Sequence, residues 1–238
     1  MSMTRPAPRT SRPSAKGVKR LRLDAIHDEL RERICLLDYP PGTLLREGAL
    51  AAEFGISRTP IREILQRLAF AGLVEARNGV GTIVTGFDFA ELKDIYEMRI
   101  KIAELIGQLS PRRCRPDHIR SVEALLTRAR RLRDRFDIRE YWHINHEMHF
   151  IVGDLIGNAA LRQMWDHFYF QVARIWYGVA QTTSGRVADS LYRELEDILG
   201  AMAENDVAAI GFIQRNYIAY GLRQVKAHYE SGETTRAR

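Results

Sequence analysis

Little in this chain favours a secreted, membrane-bound or disulfide-stapled protein. Its 238 residues contain two cysteines. Cys35 and Cys114 lie far apart and match no metal or redox spacing, so they read as reduced thiols in a cytoplasmic protein. No uninterrupted apolar run is long enough to span a bilayer, and the N-terminus lacks the apolar centre of a signal peptide. Glu147, His149 and Asp154 are titratable, but no nucleophile–base arrangement and no phosphate-binding glycine loop accompanies them, so an enzyme is not expected. Residues 88–230 show no strand-like alternation. What is present, 45% hydrophobic and 28% charged residues, suits a globular protein of one or two domains with a sizeable core.

The charge is unevenly spread. Residues 1–84 carry 14 Lys+Arg against 9 Asp+Glu, and residues 85–238 carry 22 against 21. Nearly all of the net +6 therefore belongs to the N-terminal third, which points to an anionic polymer as the partner of that part alone. Residues 1–23 hold seven basic side chains and no acidic one. They read as a disordered basic arm, either adding phosphate contacts or serving as a solubilising tail.

Residues 24–84 have the order of a winged helix-turn-helix. Leu23, Ile26, Leu30 and Ile34 recur at helical spacing, giving a helix over 24–37 that ends in Tyr39-Pro40-Pro41-Gly42. A second helix spans Arg46 to Phe54, with Gly55 at its C-cap. A third begins in Ser57-Arg58-Thr59-Pro60-Ile61-Arg62-Glu63 and stops at Gly72. Ser57 or Thr59 suits its N-cap, and Pro60 in the first turn forfeits no helical hydrogen bond. Arg58 and Arg62 share one face, where their forked donors match guanine edges or phosphates, while Ile61, Ile64, Leu65 and Leu68 form the buried stripe. Residues 73–77 and 82–84 flank Asn78-Gly79 as a hairpin, the wing. In such an architecture the third helix reads the major groove and the wing meets the backbone or minor groove.

These blocks, Pro41-Gly42-Thr43-Leu44-Leu45, Leu50-Ala51, Gly55 to Glu63, Leu68, Gly72-Leu73-Val74 and the wing glycines, resemble the DNA-binding domain of the GntR family of bacterial transcription regulators. The resemblance implies contacts to operator bases and phosphates from Ser57, Arg58, Thr59 and Arg62, with Asn78 and Gly79 at the wing tip. Some members carry a basic residue on helix two where this chain has Gly48. Arg46 either substitutes for it or is simply solvated.

Residues 91–230, after a linker at 85–90, read as an all-helical bundle of six or seven helices; the breaks place six at 88–109, 117–135, 138–156, 159–180, 186–204 and 206–229. Residues 231–238 read as a disordered tail. All three tryptophans, Trp142, Trp165 and Trp176, lie in the bundle with Phe168, Tyr169, Phe170 and Tyr177, either as ordinary core or around an apolar cavity. Met98-Arg99, Asn145-x-x-Met148-His149-Phe150, Gly157-Asn158-x-x-Leu161 and Asp206 resemble the GntR branch with a helical effector-binding domain, the FCD domain. That branch includes the fatty-acid-responsive regulator and many carboxylate-responsive repressors.

Many members of that branch hold a divalent metal on one Asp or Asn and three histidines. The resemblance puts the first two ligands at Asn145 and His149, the third at Leu195 and the fourth near Tyr217. Leucine cannot bind a metal and a neutral amide does not balance a dication, so no metal and no other cofactor is expected. His143 and His146, at i, i+3 and i+6 with His149, offer an alternative set or are solvent-facing and core histidines. Without a metal, Arg99 and Arg174 become anchors for an anionic group, or surface ion-pair residues, with Asn145, His149 and Tyr217 as polar contacts. The whole reads as a cytoplasmic homodimeric regulator, a repressor on a palindromic double-stranded operator, controlled by a small organic acid or similar anion. A metabolic enzyme and a nucleoid-type binder whose bundle only dimerises are the rival classes.

Overall fold

The computed structural model describes residues 15–86 and 89–236. Helix α1 (Ala15–Cys35) is followed by β1 (Leu44–Leu45), α2 (Glu47–Phe54), α3 (Arg58–Phe70) and the strands β2 (Val74–Arg77) and β3 (Gly81–Val84). The bundle comprises α4 (Phe89–Glu104), α5 (Pro116–Asp134), α6 (Ile138–Asp154), α7 (Ala159–Thr182), α8 (Ser184–Ala203) and α9 (Val207–Arg236).

The winged helix closes as its residue order demands. Ile61, Ile64, Leu65 and Leu68 are buried with Leu30 and Ile34 of α1 and Leu50 of α2. The positive φ of Gly55 (60°) ends α2, and Gly79, also at positive φ (75°), turns the hairpin. The wing is antiparallel, with Val74 opposite Val84 and Arg77 opposite Gly81. One strand escapes sequence reading: β1 is only two residues long but pairs Leu44 with Ile83, so the sheet order is β1-β3-β2. Two apolar residues carry no alternation for a period to be read from.

Four expected boundaries need correction. Residues 15–23, taken as the end of a disordered basic arm, continue α1. Arg22 explains part of this: its guanidinium donates to Phe54 O at 2.9 Å and so satisfies a carbonyl at the C-terminal end of α2, where a cation is favoured. The first fourteen residues of that arm lie outside the described residues. The expected linker loses two residues to α4, which begins at Phe89, and residues 87–88 lie outside the description. Helix α4 stops at Glu104 rather than 109, because Leu105 and Ile106 bond back three residues instead of four. The tail expected to be disordered is helical to Arg236, and residues 237–238 lie outside the description.

Caps explain several sequence landmarks of the bundle. Asn158 accepts from Leu161 N at 3.0 Å, Asp137 from Glu140 N at 2.9 Å and Asp206 from Ala209 N at 2.8 Å, each supplying an N-cap acceptor. Helix α4 packs on α7 and α9, and α5 packs on α6 and α8. The α4–α9 crossing is close: a Cβ on Gly211 would stand 2.6 Å from Ala103 O. Among the described residues no helix is long and apolar enough to cross a membrane.

Candidate DNA-reading helix and effector cavity

Helix α3 presents its polar start to solvent. Ser57 takes the extended N-cap conformation (φ −75°, ψ 167°), but its side chain makes no capping hydrogen bond. Ser57, Arg58, Thr59 and Arg62 are all exposed, as are Arg46 at the start of α2 and Asn78 and Gly79 on the wing. The guanidinium of Arg58 lies 3.5 Å from where a Cβ on Gly48 would stand. Arg58 thus lies against the glycine that departs from the family pattern.

Arg62 is held by a residue that sequence reading missed. Its Nε donates to Glu47 Oε1 at 2.9 Å and its Nη2 to Oε2 at 2.8 Å, a bidentate pair that keeps the Glu47 carboxyl below its usual pKa. Arginine carries five N–H donors. Two are used here, and the remaining three leave an end-on fork facing outward.

Inside the bundle, α4, α6, α7, α8 and α9 enclose a cavity of about 80 Å³. Arg99, Asn145, His149 and Tyr217 all line it, although they come from three different helices. Arg99 is the distinctive wall residue. Its guanidinium stands 5.5 Å from the centre of the Tyr96 ring and 5.8 Å from that of Tyr169. Among the described residues it makes no hydrogen bond or ion pair, and burial lowers its pKa. A wider depression of about 360 Å³ shares Ser190, Tyr217 and Tyr220 with the cavity and carries Arg186, Arg193 and Asp189, a net basic lining.

Arg174, expected as a second anion anchor, does not line the cavity. It is buried, 1% exposed, on the opposite face of α7. Its Nη2 donates to Thr85 Oγ1 at 2.8 Å, and Nη1 lies 3.5 Å from Leu73 O. It therefore fastens the wing and linker to the bundle. A helix buried nearly all round has two inward faces, and spacing alone does not say which of them a residue shares. Arg31 of α1 meets the same helix, 4.1 Å from the centre of the Phe170 ring. Helix α7 thus presents Tyr169, Val172, Ala173 and Tyr177 to the cavity and Phe170 and Arg174 to the DNA-binding domain.

The donor set does not fit the metal that the family resemblance implies. His149 is stacked between Trp165 and Tyr169, at 4.9 and 3.9 Å between ring centres, with Nε2 2.8 Å from Asp166 Oδ1. Burial pushes its pKa down to about 4, against the opposing pull of Asp166. The Asn145 amide donates to Tyr141 O at 2.8 Å, and Tyr217 donates to Asp197 Oδ2 at 3.0 Å. Leu195 is a fully buried hydrocarbon, and no cluster of three or more His, Cys, Asp or Glu suited to a metal occurs among the described residues. His143 and His146 turn toward α1 instead, 3.7 Å from Glu32 and 3.4 Å from Arg31. Two other cavity residues, Glu194 and Gln214, were missed. Glu194 had a visible signal: it is an acid on the buried stripe of Leu191, Leu195 and Ile198.

Comparison with known proteins agrees with this two-part architecture. The profile of bacterial regulatory proteins of the gntR family matches residues 23–84, and that of the FCD domain matches residues 94–219. The chain belongs to the GntR family. It is a GntR transcription regulator with an FCD effector-binding domain, and such proteins are DNA-binding regulators, not enzymes. An HTH-type transcriptional regulator in an unstable DNA locus of Streptomyces ambofaciens is 32% identical over 213 residues, covering 85% of this chain and 86% of that protein. The HTH-type regulator YdhC of Bacillus subtilis is 25% identical over 142 residues, covering 59% of this chain and 63% of YdhC. The gluconate operon transcriptional repressor of Bacillus licheniformis is 42% identical over 72 residues, 30% of this chain and 29% of the repressor. Among solved structures, E. coli McbR/YncC superposes with a TM-score of 0.75 at 15% identity, covering 87% of this chain and 98% of that one; the likeness is one of fold.

Proposed function

We propose that this regulator is a cytoplasmic homodimeric repressor released from a palindromic operator by a small organic acid or similar anionic metabolite. The observation that carries the effector class is Arg99, a guanidinium lining the cavity with no anionic partner within salt-bridge distance among the described residues. A bidentate carboxylate would supply that partner. The net positive lining of the neighbouring depression, Arg186 and Arg193 against Asp189, supports an anion, and the gluconate repressor among the relatives supports repression. On the DNA side, Ser57, Arg58, Thr59 and Arg62 read each half-site, with Arg46, Asn78 and Gly79 contacting backbone. Half-site spacing then follows from the dimer.

Helix α7 transmits the signal. An effector that packs on its Tyr169–Tyr177 face shifts the face that Arg174 and Arg31 grip, and so favours one placement of the winged helix. Such coupling requires different effector affinities in the two placements. Asn145, His149 and Tyr217 orient the ligand around Arg99. The test is footprinting of the operator followed by gel-shift titration with two- to six-carbon mono- and dicarboxylates. At least one should dissociate the complex, and Arg99→Gln should abolish that response while leaving ligand-free DNA binding intact. Indifference of the complex to every acid in the set refutes the anionic effector.

A further inference from the structure

The cavity holds a second ionisable group besides Arg99. Glu194 on α8 is 9% exposed and lines the same space. Its Oε1 accepts from Gln214 Nε2 at 2.9 Å, and Gln214 is itself buried. Among the described residues no Lys, Arg or His nitrogen forms an ion pair with Glu194, and Arg99 acts on it only across the cavity. Burial pushes the Glu194 carboxyl up to about 8, which Arg99 partly opposes.

Burial keeps the Glu194 carboxyl neutral, and a cation brought beside it would offset the cost of ionising it. A plain carboxylate satisfies Arg99 but leaves Glu194 without a cationic partner. A ligand with both charges satisfies both walls. The remaining lining suits the positive end: Tyr96 and Tyr169 already face Arg99, while Tyr141, Trp176 and Tyr217 also line the space, and aromatic rings attract ammonium groups.

We propose that the effector is a small zwitterion of the amino-acid class, its carboxylate on Arg99 and its ammonium received by Glu194 and the neighbouring tyrosine and tryptophan rings. This rests on the reading of the cavity as the effector site.

Isothermal titration of the full-length protein with the protein amino acids, β-alanine, 4-aminobutyrate and glycine betaine tests it. Each binder is compared with its deaminated acid and its decarboxylated amine; for alanine these are propionate and ethylamine. At least one zwitterion should bind tenfold or more tighter than both of its analogues. Glu194→Gln should erase that preference while keeping the affinity of the acid analogue, and Arg99→Gln should abolish both. The preference is a ratio measured within each protein, so a moderate loss of stability in a variant does not affect it, and the wild-type ratio decides even where a variant fails to fold. Acids that bind as tightly as their amino acids, with Arg99-dependent affinity, overturn the zwitterion and leave the anionic effector standing. A panel in which nothing binds overturns both.

Discussion

Replacing Glu47 with glutamine separates two roles that its contact with Arg62 allows. The carboxylate either competes with DNA for Arg62 or aims it. The bidentate geometry, at 2.9 and 2.8 Å, occupies Nε and one Nη2 hydrogen and leaves the end-on fork, which is the pair of donors that matches guanine O6 and N7. Aiming is therefore the expected role. Holding one long side chain in place is worth about 0.5–1.5 kcal/mol of ordering at an interface, which corresponds to roughly 2- to 12-fold in affinity. Glutamine keeps one acceptor and turns the other into a donor, so Glu47→Gln should cost specific operator binding roughly 2- to 10-fold. Nonspecific binding should hold or rise, since a negative charge near the phosphates is gone. Arg62→Ala should cost more, roughly 5- to 150-fold if its guanine pair is lost, and adding Glu47→Gln to it should cost nothing further. The pair is solvent-exposed, so the thermal midpoint should stay within about 4 °C. Fluorescence anisotropy against the mapped operator and a scrambled duplex gives both affinities. A Glu47→Gln protein whose ratio of specific to nonspecific affinity equals or exceeds wild type would refute the aiming role.

Stability should peak near pH 6.5. The folded pKa values of His149 and His146 fall to about 4 and about 3 from 6.5, mainly by burial, so their contribution is complete above 6.5 and is lost as pH falls. Glu194 is raised from 4.5 to about 8, so its contribution is complete below 4.5 and is lost as pH rises through 8. Between pH 4.5 and 6.5 the histidines, with His118 and His167 lowered in the same direction, outweigh Glu194 and stability rises with pH; from 6.5 to 8 Glu194 gives a decline of about 1.4 kcal/mol per pH unit. Urea unfolding followed by tryptophan fluorescence measures the curve, and a wild-type stability that keeps rising to pH 8, unchanged in Glu194→Gln, defeats the assignment. Arg174→Met should loosen the winged helix from α7, because charge-assisted bonds of the kind Arg174 gives Thr85 are worth about 1.5–3 kcal/mol each, partly offset by the charge no longer being buried. Limited proteolysis between residues 77 and 93 should speed up while the bundle stays intact, and an unchanged cleavage rate rejects the latch.

The order of elements was legible because each carries its own local signal. Ile61, Ile64, Leu65 and Leu68 give α3 its period, Gly55 and Gly79 mark turns that only a left-handed residue makes without strain, and Asn158 and Asp206 mark helix starts. Helix ends were less legible. The start of α1 depends on Arg22 reaching the end of α2, a contact 32 residues away in sequence. The strand β1 exists because β3 offers it an edge, and nothing in Leu44-Leu45 alone announces that.

The same distinction governs the two ligand-facing surfaces. The proposed DNA surface centres on one helix start, so its arginines are read directly from sequence, and the contact of Glu47 with Arg62 needed coordinates. The cavity is assembled from five helices, and its chemistry lies in which charges meet. Sequence spacing placed Arg99 and Arg174 in one role, yet they face opposite sides of the layer that α7 forms. That separation is what makes the protein a candidate switch. The arginine in the cavity has no anionic partner within salt-bridge distance among the described residues, while Arg174 already donates to Thr85 of the winged helix. A ligand on Arg99 therefore adds a contact without breaking an ion pair, and α7, which lines the cavity and also holds Arg174, is the proposed route to the DNA-binding domain. Loss of the effector response in Arg174→Met, with effector affinity itself preserved, is the result this arrangement requires; a full response in that variant would place the signal path elsewhere.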